Sequence, residues 1–148
     1  MNSREDVEYR LNLAKGFLKE AEQDFQLERW RSCVNNAQLS VENSGKAILM
    51  LFGVSPKTHE PGRHLAKLIK NTEIPEEIRG IVKKFLPSFL TLGIEEHFMT
   101  DYGDESSYKL PWEIFDQKSA KSALDSAKQC KSASEDIVKW IRRRRSIK

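Results

Sequence analysis

The sequence predicts an all-α protein, an antiparallel up-and-down bundle of about five helices. Three observations predict it. Apolar residues recur at spacings of three, four and seven through most of the chain, as in Val7, Leu11, Ala14, Leu18, Ala21 and Phe25. No stretch alternates polar and apolar residues for long enough to make a strand. Only Leu27 to Trp30 separate the first two periodic stretches, and so short a connection makes them antiparallel neighbours.

The first helix is capped by Ser3, has Glu5 and Asp6 at the positive end of its dipole, and runs to about Leu27. Trp30 at the bend reads as a core plug. The second helix spans Arg31 to Gly53, with Val34, Ala37, Val41, Ile48, Leu51 and Phe52 on its apolar face. It ends at Gly53, suited to a left-handed backbone. Polar residues crowd this helix: Asn36, Gln38, Ser40, Glu42, Asn43, Ser44 and Lys46. Gly45 among them costs about 1 kcal/mol of helix propensity, which marks a close approach by another chain segment. The stretch VSPKTHEPGRH reads as a loop, and a short helix from His64 to Asn71 turns Leu65, Leu68 and Ile69 inward. Pro75 opens a fourth helix, where its missing N–H does no harm. Ile78, Ile81, Val82, Phe85, Leu86 and Phe89 form its face, and Pro87 predicts a kink. The pattern dissolves between Met99 and Phe115, a long loop. A last helix begins near Asp116 with small inward residues, Ala120, Ala123 and Ala127. That small-residue face predicts a homodimer.

At 148 residues with 39% apolar composition the chain forms one domain, residues 1–148, with a basic tail at 142–148. A net charge of +3 is too mild to argue for nucleic acid. The Arg142–Arg145 run reads as a solvated helix end, where cations suit the negative pole. No apolar run spans a bilayer and no secretory signal opens the chain, so the expected location is cytoplasmic. Cys33 and Cys130 lack metal-ligand spacing and read as small buried apolar residues, with a disulfide open if their helices touch. Asp101, Asp104 and Glu105 are too little to argue for a metal, and no cofactor is expected.

The order of these features resembles the HEPN domain family. It consists of LKEAEQDF, a hairpin into RWRSCVNNAQLSVENSGKAILMLFG, the helix start RHLAKLI, the acidic aromatic loop DYGDE and the Ala-rich SAKSALDSAKQC. The most specific part is Gln38, Glu42, Lys46 and Ala47. The resemblance implies a helical bundle that pairs as a homodimer, association with nucleotides, and pairing with small nucleotidyltransferase-like proteins in toxin–antitoxin systems. Family members that are metal-independent RNases carry an Arg, then four to six residues, then a His. Here residues 52–54, 57–59 and 90–92, which precede His59, His64 and His97 at that spacing, contain no Arg. Arg63 directly precedes His64. RNA cleavage needs a base for the 2′-hydroxyl and positive charge for the phosphorane. Related non-RNase members carry Arg-Tyr-Pro-Asp in the loop; this chain has Asp101-Tyr102-Gly103-Asp104, without that phosphate-binding Arg.

Glu42, Lys46, His64, Asp101 and Tyr102 form the candidate nucleotide site at one end of the bundle's groove. Lys46 would take a phosphate, Tyr102 would stack on a base, and Asp101 would accept from a sugar or exocyclic amine. The alternative is a structural network in which an inward Glu42–Lys46 pair holds the loop. The expected function is a catalytically silent HEPN binding module that pairs with a nucleotidyltransferase-like partner. The alternatives are an RNase toxin with an atypical constellation such as Arg63, His64 and His97, or a structural or regulatory homodimer.

Overall fold

The computed structural model describes residues 4–54, 57, 60–92 and 99–147. The cap expected of Ser3, and His59 and His97, lie outside the described residues. The helices are α1 (Arg4–Gln26), α2 (Trp30–Leu51), α3 (Pro61–Ile69), α4 (Glu76–Thr91), α5 (Pro111–Ile114) and α6 (Gln117–Ile147). Residues 99–102 add one further helical turn.

The centre of the fold is α2, which packs against every other named helix. That position explains its sequence. A helix covered on all sides must bury its polar residues too, and Gln38, Ser40, Glu42, Asn43 and Ser44 are all buried. Several of them bond to a neighbour. Ser40 Oγ donates to the Ala14 carbonyl at 2.7 Å, possible because Ala14 leaves α1 close by. Arg10 donates to Asn43 Oδ1 at 2.9 Å. Asp24 on α1 accepts from Ser32 Oγ at 2.7 Å and Asn36 Nδ2 at 2.8 Å. A buried carboxylate is tolerable only when donors surround it in this way.

Both ends of the hairpin close by the same device. At the end of α1, Arg29 N–H donates to the Asp24 carbonyl, and Glu28 takes a left-handed φ of 58°. At the end of α2, Val54 N–H reaches the Leu49 carbonyl, Gly53 N–H reaches Met50, and Gly53 sits at φ 77°. These six-to-one and five-to-two bonds are a Schellman motif. The left-handed end expected at Gly53 is therefore present.

The directions alternate. Cys33 near the start of α2 approaches the Ala120 carbonyl near the start of α6, while Glu8 near the start of α1 pairs with Arg142 near the end of α6. So α6 runs parallel to α2 and antiparallel to α1, as alternate members of an up-and-down bundle do. Leu49, Leu65, Ile78, Val82, Phe89 and Ile137 fill the interior between them. Each such side chain contributes about 1.5–3 kcal/mol when fully buried. Gly45 has its reason here: a Cβ on it would stand 2.6 Å from Pro61 Cγ. The ring of Pro61 is the close approach that the glycine signals.

Three expectations need correction. The loop expected through Arg63 ends earlier, because Pro61 sits in the first turn of α3, where a missing N–H is harmless. The segment expected to be a long loop from Met99 to Phe115 is a chain of short structures: the turn at 99–102, an antiparallel bridge between Asp104 and Lys109, and α5. The Arg142–Arg145 run forms the last part of α6, which stays helical to Ile147, in keeping with its reading as a solvated helix end. The alanine face of α6 is covered from within, since Ala120, Ala123 and Ala127 are buried in the chain's own core. It therefore gives no argument for a dimer.

Pro87 does not break α4. Pro87 and Lys83 are both exposed, so water can serve the Lys83 carbonyl that loses its donor. Cys33 and Cys130 are both buried and free. Although α2 and α6 touch, Cys33 meets Ala120, and Cys130 lies ten residues further along, about 15 Å away at helical rise.

Candidate functional site

Arg31, Asn35, Gln38, Glu42 and Gly45 follow one another at spacings of four and three, so they form one stripe along α2. Lys46 flanks its end. The stripe is polar along most of its length, and other elements cover it. Glu42 Oε2 pairs with Lys46 Nζ at 3.1 Å, and Glu42 Oε1 accepts from Gln38 Nε2 at 3.4 Å. Their side chains are 7% and 13% exposed for Glu42 and Lys46. The pair is thus an interior one, with the ammonium nearer to water. Pro61 seats on Gly45, one turn from Glu42, and His64 lies one turn further along α3. The His64 side chain is half-buried and makes no hydrogen bond or ion pair among the described residues.

The turn at 99–102 meets the other end of the stripe through Thr100. Its hydroxyl donates to Asn35 Oδ1 at 3.2 Å, and its carbonyl accepts from Arg31 at 2.9 Å. Thr100 is fully buried, whereas Asp101 is exposed and Tyr102 is 63% exposed. The structure therefore joins Glu42 to Lys46 and sets Asp101 and Tyr102 on the surface above the stripe, at the end held by Arg31. Sequence reasoning missed Thr100, Asn35 and Arg31. The sequence holds the spacing that aligns Arg31 with Asn35, but not the contact with Thr100 that gives the spacing its meaning. The loop lacks an arginine of its own, yet a guanidinium reaches it from α2.

Beyond Tyr102 the backbone is tightly folded. Gly103 has φ 71°, and a Cβ there would lie 2.2 Å from the Lys109 carbonyl oxygen. Only glycine permits that approach. Asp104 and Lys109 exchange backbone bonds at 2.9 and 3.0 Å. The Asp104 carboxylate accepts from the Ser106 hydroxyl and N–H, and these bonds hold its carboxyl below the usual carboxylate range. Its acceptor capacity goes to closing the turn. Among the described residues no cluster of acids, histidines or cysteines could hold a metal ion. The outcome is a loop that projects apolar rings outward: Tyr108 is 91% exposed and Trp112 70%.

At the hairpin bend, Arg29, Trp30, Arg31 and Ser32 line a concavity of about 540 Å³ with Glu28, Trp112 and Phe115. Arg31 lies over the Trp112 ring, 5.7 Å from its centroid. Trp30 is half-buried and stacks edge-on to Phe25, with centroids 5.2 Å apart. It is therefore both a plug and a wall.

A helical bundle organised on a polar central helix, with a short capping turn and a structured aromatic loop, defines the class of this domain. The model of the HEPN domain matches residues 7–143, and the chain belongs to that family. It is similar to the candidate toxin MJ1304 of Methanocaldococcus jannaschii, at 22% identity across 97% of this chain and 98% of that protein. Two solved structures share the fold. TT1696 from Thermus thermophilus has a TM-score of 0.61 at 19% identity, covering 88% of this chain and 96% of its own. ST0689, an archaeal HEPN homologue, has a TM-score of 0.60 at 17% identity, covering 89% and 97%. No helix among the described residues is long and apolar enough to cross a membrane.

Proposed function

We propose that this chain is a catalytically silent HEPN binding module in a toxin–antitoxin-like pair, engaging a nucleotidyltransferase-like protein and a nucleotide. The observation that carries it is the missing arginine: none precedes His59, His64 or His97 with four to six residues between. Without that pairing no built base and cation face a 2′-hydroxyl and its phosphate. Two further features support the reading. His64 has no acid to orient it among the described residues, and the Lys46 charge is already answered by Glu42. The similarity to a candidate toxin supports a paired system. Self-association enters this reading through the family resemblance alone, since the alanine face is occupied.

Two measurements test it. Purified protein incubated with single-stranded RNA and a chelator should show no cleavage above background. Co-expression with the product of an adjacent nucleotidyltransferase reading frame should yield a stable complex on affinity capture. Chelator-resistant cleavage that disappears in His64→Ala or His97→Ala would overturn catalytic silence and restore the RNase reading.

A further inference from the structure

We propose that the concavity at the hairpin bend is a binding site for a nucleoside di- or triphosphate, separate from the Glu42–Lys46 pair. This deepens the nucleotide part of the proposed function and rests on it. The lining combines two kinds of group. The first is cationic. Arg29 is exposed and makes no ion pair among the described residues, and Arg31 stands beside it. Guanidinium groups bind phosphate oxygens in a planar, two-pronged geometry. The second is aromatic. Trp112 keeps most of its surface in water although Phe115, three residues later, is buried. An indole held in this way offers a face to a planar base.

The geometry orders these groups. Arg31 is fixed from two sides, by the Thr100 carbonyl and by the Trp112 ring, so it is positioned before any ligand arrives. Its planar fork keeps donors to spare beyond the one given to Thr100. Glu28 is the single acid of the lining, against Arg29 and Arg31, so the lining carries a net positive charge. A volume of about 540 Å³ suits a mononucleotide and falls within the usual range for small-molecule sites. Asp24 lies behind the wall, but its carboxylate is occupied by Ser32 and Asn36. Phosphates would sit between Arg29 and Arg31, with the base against the outer face of Trp112.

The site also touches the loop. Arg31 is the residue that holds the Thr100 carbonyl, so a phosphate drawn to Arg31 acts on the same side chain that anchors the 99–102 turn. Asp101 and Tyr102 follow directly on that anchor.

The test uses the full chain, which contains tryptophan only at positions 30, 112 and 140. Titration with ATP at physiological ionic strength should quench tryptophan fluorescence saturably. Adenosine alone and tripolyphosphate alone should each bind more weakly, because each satisfies one half of the lining. Arg29→Gln and Trp112→Leu change exposed positions, so both proteins should keep the parent circular dichroism. Each should weaken ATP binding by roughly tenfold or more, the worth of one stacked base or one charged contact. Saturable binding that is unchanged in Arg29→Gln and Trp112→Leu, but lost in a folded Lys46→Gln protein, would place the nucleotide at the Glu42–Lys46 pair. That result overturns this site and keeps the nucleotide reading. No binding of ATP at all overturns both, and leaves partner pairing to the capture experiment.

Discussion

The Glu42–Lys46 pair gives the sharpest test of how α2 is held. Both side chains are almost fully enclosed, at 7% and 13% exposure, and their charged atoms lie 3.1 Å apart. Removing one partner of an enclosed ion pair costs about 3–5 kcal/mol, because the charge left behind has lost its counter-ion without regaining water. The two losses should differ. Lys46 is the more exposed, and a lysine stem can carry its ammonium outward. Glu42→Gln should therefore cost less than Lys46→Met, with the latter near 3 kcal/mol or above. The double change Glu42→Gln with Lys46→Met removes both charges together and should recover much of the loss caused by Lys46→Met alone. Urea unfolding with a constant m-value measures all four proteins. A domain of this size has about 5–15 kcal/mol of stability in total, so a loss of that order is plain in the midpoint. Single losses under about 1 kcal/mol with no coupling would be the behaviour of a solvated pair. That result would refute the argument that enclosure, rather than helix geometry alone, sets the pair's energy.

Two further predictions concern packing and ionisation in the same core. Gly45→Ala should destabilise the protein in urea unfolding even though alanine gains about 1 kcal/mol of helix propensity. The new Cβ would lie 2.6 and 2.8 Å from ring atoms of Pro61, and such overpacking costs about 1–3 kcal/mol; a net gain in stability would show that α3 yields freely. Burial, with the Asp24 charge adding to it, pushes the Cys33 thiol up to about 11, and burial pushes Cys130 up as well. Neither should react with an alkylating reagent at neutral pH until the chain is unfolded. A raised thiol value in the folded state means that its contribution is fully present below the unfolded value and lost as pH rises toward about 11. Stability should therefore fall through alkaline pH. Rapid native labelling, or stability that holds in alkali, would contradict the enclosure of both thiols.

What could be read from the chain follows from which forces act locally. Helix periodicity, the short connection at Leu27 to Trp30 and the end at Gly53 are properties of a few neighbouring residues, and each appears in the structure. Gly45 was legible as a close approach, but not the identity of Pro61, which comes from a different helix. The alanine face of α6 shows the limit of this reasoning. Small residues demand a close neighbour, yet nothing in their spacing says whether that neighbour is another chain or α2 of the same one.

The polar residues of α2 carry the same ambiguity to a functional end. A helix with Gln38, Ser40, Glu42, Asn43 and Ser44 in its middle would ordinarily turn them to water. Here α1, α3, α4, α5 and α6 surround it, so burial is imposed: Ser40 and Asn43 bond across to α1 and Glu42 pairs within α2, while the Ser44 hydroxyl is buried with no hydrogen-bond partner among the described residues. The sequence-derived site drew on residue types and chose Tyr102 and Asp101 from the loop. The structure reaches α2 from that loop through Thr100, a residue without an obvious signature, and through Arg31, whose place in the stripe becomes visible only once Asn35 and Thr100 are seen to meet. The missing loop arginine carried the argument against phosphate binding near Tyr102. A guanidinium supplied from the first turn of α2, and stacked on Trp112, weakens that argument, because a phosphate responds to where a charge is held and not to the segment that supplies it.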